Sequence, residues 1–244
     1  MTTAWEQVRA VADTVLYEGY LLYPYRASSR KNQCRWQFGV LGPPGAAEAG
    51  VGEEATLEAG FLIEDGRTLT LIVRFLQLQR RRVLRGDPRL GLVPVEELVT
   101  PAGTWLTWDE AVEREIALEP LNLADSRRSW TLPFTAPCGT DVEEIAGGQL
   151  VRIRRELRGT VSVEAATDGG MQRLRVTVAN TGVPAADRDE AIATSLIGTH
   201  LIAAVTGGHF VSLVDPPPGA TAAAARCRQR RCFPVLAGPP DVDD

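Results

Sequence analysis

TLEAGFLIEDGRTLTLIVRFLQLQR, residues 56–80, is the stretch that decides the fold class. Leu69, Leu71, Val73 and Phe75 alternate with Thr68, Thr70, Ile72 and Arg74, the period of two that gives a strand one apolar face. Asp65-Gly66 interrupts the run, and such a pair favours positive φ at both positions of a tight hairpin turn. The reading is a β-hairpin of residues 56–64 against 67–80.

A second hairpin is read over residues 160–167 and 172–180, around Asp168-Gly169-Gly170. There Val161, Val163 and Ala165 can face Leu174, Val176 and Val178 across the pair. Helical patterns cover residues 6–23, where Val8, Val11, Ala12, Val15 and Leu16 share a face that ends before Pro24. Thr107 followed by Glu110 is a capping-box signature and predicts a helix over 108–119. Residues 184–205 also read as helix, with Ile192, Leu196, Ile197 and Leu201 on one side, and 220–228 as a short helix. Short strands are expected at 35–41, 210–214 and 233–237, with a Gly/Pro/Ala-rich loop at 42–52. Antiparallel hairpins with helices at the ends and edges imply an α+β class with a sandwich-like core. Glycines at 139 and 147–148 suggest a boundary between an N-terminal α+β region, 1–140, and a C-terminal hairpin-plus-helix region, 141–244; a single domain is the alternative.

The chain has 244 residues, 44% hydrophobic and 23% charged, enough to bury a core without a disulfide or a metal. A net charge of −5 and a pI near 5.3 count against nucleic acid as a partner. Glu6, Arg9 and Asp13 break the N-terminal stretch where an export signal needs an apolar run, and no segment reaches the ~18 apolar residues of a membrane span. Cys34, Cys138, Cys227 and Cys232 are scattered, which reads as reduced thiols in a cytoplasmic protein.

All four tyrosines lie close together, at Tyr17, Tyr20, Tyr23 and Tyr25, and Arg26, Arg30, Lys31, Arg35 and Trp36 follow with no acid between them. Tyr, Trp and Arg dominate protein interfaces, so Tyr20, Tyr23, Tyr25, Arg26, Arg35 and Trp36 are read as anchors for a protein partner. Aromatic packing under a sheet and stacking on single-stranded nucleic acid are the alternatives. Basic runs at 80–82, 152–158 and 226–231 have acidic counterparts at 109–119 and 141–144. These read as crossed charges on a solvated surface, or else as a basic face for an acidic partner.

His200 and His209 are the only histidines. Ser195, Thr199, His200 and Asp215 lack the glycine pattern of a nucleophile elbow. Cys227-x4-Cys232 could join His200 or His209 in a soft metal set, or the thiols and imidazole are simply core residues. An enzyme reading would centre on His200, Cys227 and Asp215. The glycines form no phosphate-binding loop, and Gly207-Gly208 reads as a turn into a strand. No catalytic residue and no cofactor is assigned.

Two segments carry a resemblance. One runs Tyr17-Glu18-Gly19-Tyr20-Leu21-Leu22-Tyr23-Pro24-Tyr25-Arg26, then Lys31-Asn32 and Arg35-Trp36-Gln37-Phe38-Gly39. The other comprises Thr199-His200, Gly207-Gly208, Phe210-Val211-Ser212-Leu213, Asp215-Pro216-Pro217, Cys227-Arg228 and Pro234-Val235-Leu236. Together they resemble a bacterial protein family encoded beside the actinobacterial-type, high-affinity NiFe hydrogenase. The resemblance implies an accessory or assembly factor whose partner is a hydrogenase subunit or maturation factor, and it brings no catalytic residues. Arg230-Arg231-Cys232-Phe233 departs from the neutral stretch and Trp of the family pattern.

Overall fold

The computed structural model describes residues 4–18, 39–125 and 128–236. Among the described residues strands far outnumber helices, so the protein is mostly antiparallel β, in sheets that stay open.

The longest element is β2, Thr68–Asp87, whose 20 residues extend about 65 Å at ~3.3 Å per residue. A strand of that length has room for several neighbours on each edge. On one edge lie β13 (Ile197–Thr206) and β10 (Gly148–Arg154), with β9 (Gly139–Ile145) outside β10. On the other lie β7 (Leu121–Asn122), β6 (Trp108–Ala117) and β3 (Gly91–Val95). The other large sheet has the order β14 (His209–Val211), β1 (Thr56–Glu64), β12 (Met171–Asn180), β11 (Leu157–Asp168) and β8 (Ser129–Ala136). In it β15 (Gln229–Arg230) also pairs with β1. A separate two-stranded ribbon joins β4 (Glu97–Thr100) to β5 (Gly103–Leu106). Both large sheets draw strands from before and after residue 140.

One cluster of buried side chains spans both large sheets. Leu69, Leu71, Val73 and Phe75 of β2 share it with Leu57 and Ile63 of β1, Trp130 and Phe134 of β8, Val161 and Val163 of β11, and Leu174, Val176 and Val178 of β12. Each such side chain contributes roughly 1.5–3 kcal/mol by leaving water. Unlike a strand with one wet face, β2 is buried without a break from Leu71 to Gln79. Its outward residues are covered as well. Ile72 meets Ala12 of helix α1 (Ala4–Glu18) and Ile202, while Leu76 and Leu78 pack with Leu16, Val40 and Ile197. On the outer side of the β1 sheet, Leu62 and Val211 pack against Ala220 and against Ala223 and Ala224 of a short helix, Thr221–Ala224.

The hairpin expected at Asp65-Gly66 is not formed, because β1 and β2 belong to different sheets. Asp65 does adopt positive φ (53°), but Gly66 does not, so the turn is not of the hairpin type. It is instead a corner that carries the chain from one sheet to the other. A second crossing, from β13 to β14, lies against it: a Cβ on Gly208 would stand 2.0 Å from the Glu64 carbonyl oxygen. The second hairpin follows the reading, with Val161, Val163 and Ala165 opposite Val178, Val176 and Leu174, and φ of 61° and 87° at Gly169 and Gly170.

Three further expectations are corrected. Residues 108–117 form β6, not a helix, because the edge of β2 supplies a full ladder and Thr107 spends its hydroxyl on the Val95 carbonyl (2.8 Å) instead of capping. Within 184–205, only α2 (Arg188–Ala193) is an α-helix; from Ile197 the chain pairs with β2, and Gly198 takes φ of 62° at a bulge. No strand forms over residues 233–236. The short helix Thr221–Ala224, α3 hereafter, falls within the expected 220–228. In the N-terminal region helix α1 is described to Glu18, and among the described residues of the expected strand at 35–41, Leu41 bridges to Leu196 and Gly39 accepts from the Thr199 N–H.

Candidate functional site

The outer face of the β1 sheet carries a groove of about 520 Å³. Its floor is one row of residues across four strands: Gly60 of β1 opposite Arg175 of β12, Arg175 opposite Glu164 of β11, and Glu164 opposite Ser129 of β8. Alternation puts Leu174 and Val176 inward, so Arg173 and Arg175 face out. Gly60 is glycine for a steric reason: a Cβ there would lie 2.9 Å from the Arg228 nitrogen. Its peptide is clasped by the Gln229 side chain, which donates to the Gly60 carbonyl at 2.5 Å and accepts from its N–H at 3.3 Å. Residues 226–228 thereby form a wall over β1, while Arg128 stands at the β8 side.

Five arginines line this groove (Arg128, Arg173, Arg175, Arg226 and Arg228) against Glu58 and Glu164. Arg226 makes a two-pronged contact to Asp168, which Arg173 also reaches at 3.1 Å. The Arg226 bond holds the Asp168 carboxyl below its ordinary range. Arg175 pairs with Glu164. Among the described residues Arg128 and Arg228 form no ion pair, which leaves two forked donors open to a carboxylate. Burial pushes the Cys227 thiol up, so it stays protonated and is a poor nucleophile.

A second polar cluster lies under α1. Arg74 of β2 reaches Asp13 of α1 together with Glu113 and Glu115 of β6. On its other side it faces His200 of β13. The His200 Nδ1 donates to the Gly198 carbonyl at 2.9 Å, and burial depresses its pKa from 6.5. These contacts tie helix to sheet and describe a structural network.

The residues read as anchors, Tyr20, Tyr23, Tyr25, Arg26, Arg35 and Trp36, lie outside the described residues, as does Cys34. The structure does not bring the enzyme candidates together. His200 is on the outer side of the β2 sheet, whereas Cys227 packs with α3 beside the β1 sheet. The Cys232 sulfur lies 3.0 Å from the Glu58 carbonyl, and the Asp215 backbone bonds to Ser212 at 3.1 Å. Among the described residues no cluster of three or more His, Cys, Asp or Glu could hold a metal ion. Ser195 donates to the Ala191 carbonyl at 2.7 Å and so serves helix α2.

The basic runs at 80–82 and 152–158 meet the acidic runs directly. Arg81 pairs with Glu110, Arg152 with Glu110 and Glu143, and Arg154 with Asp141. The run at 226–231 differs, because part of it walls the groove. Sequence reasoning missed Arg128, Arg173 and Arg175; the available signal was two arginines two residues apart on a strand, with Glu164 opposite. No helix among the described residues is long and apolar enough to cross a membrane. No protein-family model matches the chain, and no curated protein matches it in sequence.

Proposed function

We propose that the protein is a non-catalytic, protein-binding accessory factor of the cytoplasm, serving assembly or maturation of a NiFe hydrogenase. The observation that supports a binding role is the arginine-lined groove on the β1 sheet. Its two uncommitted guanidinium groups suit recognition of a charged partner, and its thiol is held in the unreactive form. The hydrogenase as partner rests on the sequence resemblance carried by residues 17–39 and 199–236. In this reading the 17–36 segment supplies a further contact surface, and the part of the outer β1-sheet face that the short helix α3 leaves uncovered is the docking groove.

The test is affinity capture of the tagged protein from cells that express the hydrogenase, followed by mass spectrometry. Recovery of hydrogenase subunits or maturation factors is the expected result. An eluate without them, from cells in which the enzyme is present, overturns the reading.

A further inference from the structure

We propose that the groove on the β1 sheet holds an extended acidic peptide of the partner, gripped at its two ends by Arg128 and Arg228. The proposal rests on the protein-binding reading and names the chemistry of the bound segment. Its basis is the placement of charge. Arg173 and Arg226 are committed to Asp168, and Arg175 to Glu164, so these three shape the groove without offering a free fork. Arg128 and Arg228 are exposed and without ion pairs among the described residues. They stand on opposite sides of the floor row Gly60, Arg175, Glu164 and Ser129, Arg228 over β1 and Arg128 beside β8.

Three strand spacings of ~4.8 Å make that row about 14 Å wide. A ligand that spans the row from one arginine to the other therefore carries two negative charges separated by roughly that width. An extended peptide places side chains four positions apart at roughly that distance, at ~3.3 Å per residue. Inorganic phosphate is too small to reach both. A nucleic acid would bring further phosphates between the two ends, against the Glu58 carboxylate, which the sparser charge of a peptide avoids.

The test is fluorescence anisotropy of a labelled peptide of about nine residues carrying two aspartates four positions apart. We expect saturable binding that weakens at least ~10-fold in the charge-reversed double variant Arg128→Glu, Arg228→Glu, and weakens as salt rises. A peptide with asparagines in place of the aspartates is expected not to bind. Both substituted residues are exposed, and an unchanged circular dichroism spectrum verifies folding of the variant. Unaltered affinity in the folded double variant overturns the proposal. So does competition by inorganic phosphate or oligothymidine at lower concentration than the acidic peptide. The two readings fail separately: hydrogenase components captured without any peptide binding leave the accessory role standing and remove the groove as its site.

Discussion

Arg74 of β2 reaches Asp13 of α1 across 2.6 Å from a position that is only 1% exposed, so a charge buried in the outer face of the sheet fastens the N-terminal helix. The guanidinium serves three carboxylates from two elements, and Arg9 of the helix returns to Glu115 from above. Arg74→Leu removes the hub from Asp13 and Glu113 and leaves Glu115 with Arg9. We expect a loss of about 2 kcal/mol, from the packing of the buried arginine stem and the shared cation, because the carboxylates left behind stay partly hydrated. Asp13→Asn leaves Arg74 two carboxylates and is expected to cost about 1 kcal/mol. Urea unfolding of both variants measures the difference, and equal losses contradict the hub arrangement.

His200 gives the fold a pH dependence whose sign follows from its surroundings. Burial is the largest effect and depresses its pKa below 6.5; the bond to the Gly198 carbonyl offsets part of this, and Arg74 adds to the depression. Asp13 and Glu113 pull the other way. The folded protein thus keeps His200 neutral while the unfolded chain takes up a proton below pH 6.5. Stability is expected to fall as pH drops through 6.5 towards the lower folded value, and to be unaffected by this group above it. Urea midpoints measured across that interval should slope less in His200→Gln than in the wild type.

The β11–β12 turn depends on two glycines in the left-handed region, at φ of 61° and 87°. A Cβ on Gly170 would touch nothing within 4 Å, so its substitution tests backbone strain alone. Gly170→Ala is expected to cost about 1 kcal/mol, and Gly169→Asn well under that, because asparagine tolerates this region. Thermal melts of the two variants give the comparison.

Phe134 of β8 lies over Gly159 of β11, its cross-strand partner, and fills the space a side chain would take. A Cβ on Gly159 would stand 2.2 Å from the Phe134 ring. The ring also packs against Phe75, at 5.9 Å between centroids, which joins the two sheets. Gly159→Ala is expected to cost about 2 kcal/mol through overpacking. Adding Phe134→Leu should make the second change cost less than it does alone, a coupling that a double-mutant cycle reads directly.

Where the sequence misled, the competing force was long-range. The segment after Thr107 has a sound capping box, yet β6 pairs with ten residues of β2, from Ile72 to Arg81. Its acids Glu110, Glu113 and Glu115 find Arg81 and Arg74 there. Residues 197–206 repeat the lesson: a helical spacing of Ile197 and Leu201 was outweighed by the opposite edge of the same strand. The groove was hidden for a related reason. Arg128, Arg173 and Arg228 are far apart in the chain, and the pairing of β15, β1, β12, β11 and β8 brings them to one face.

Local chemistry was enough for the apolar face of β2 and for the β11–β12 hairpin with its register, because alternation and two adjacent glycines act within a few residues. The neighbours of β2, the corner at Asp65-Gly66 and the arginine groove were decided by tertiary structure. A 20-residue strand exposes backbone donors and acceptors along both edges, and satisfying them outweighs the helical preference of whichever segments can reach.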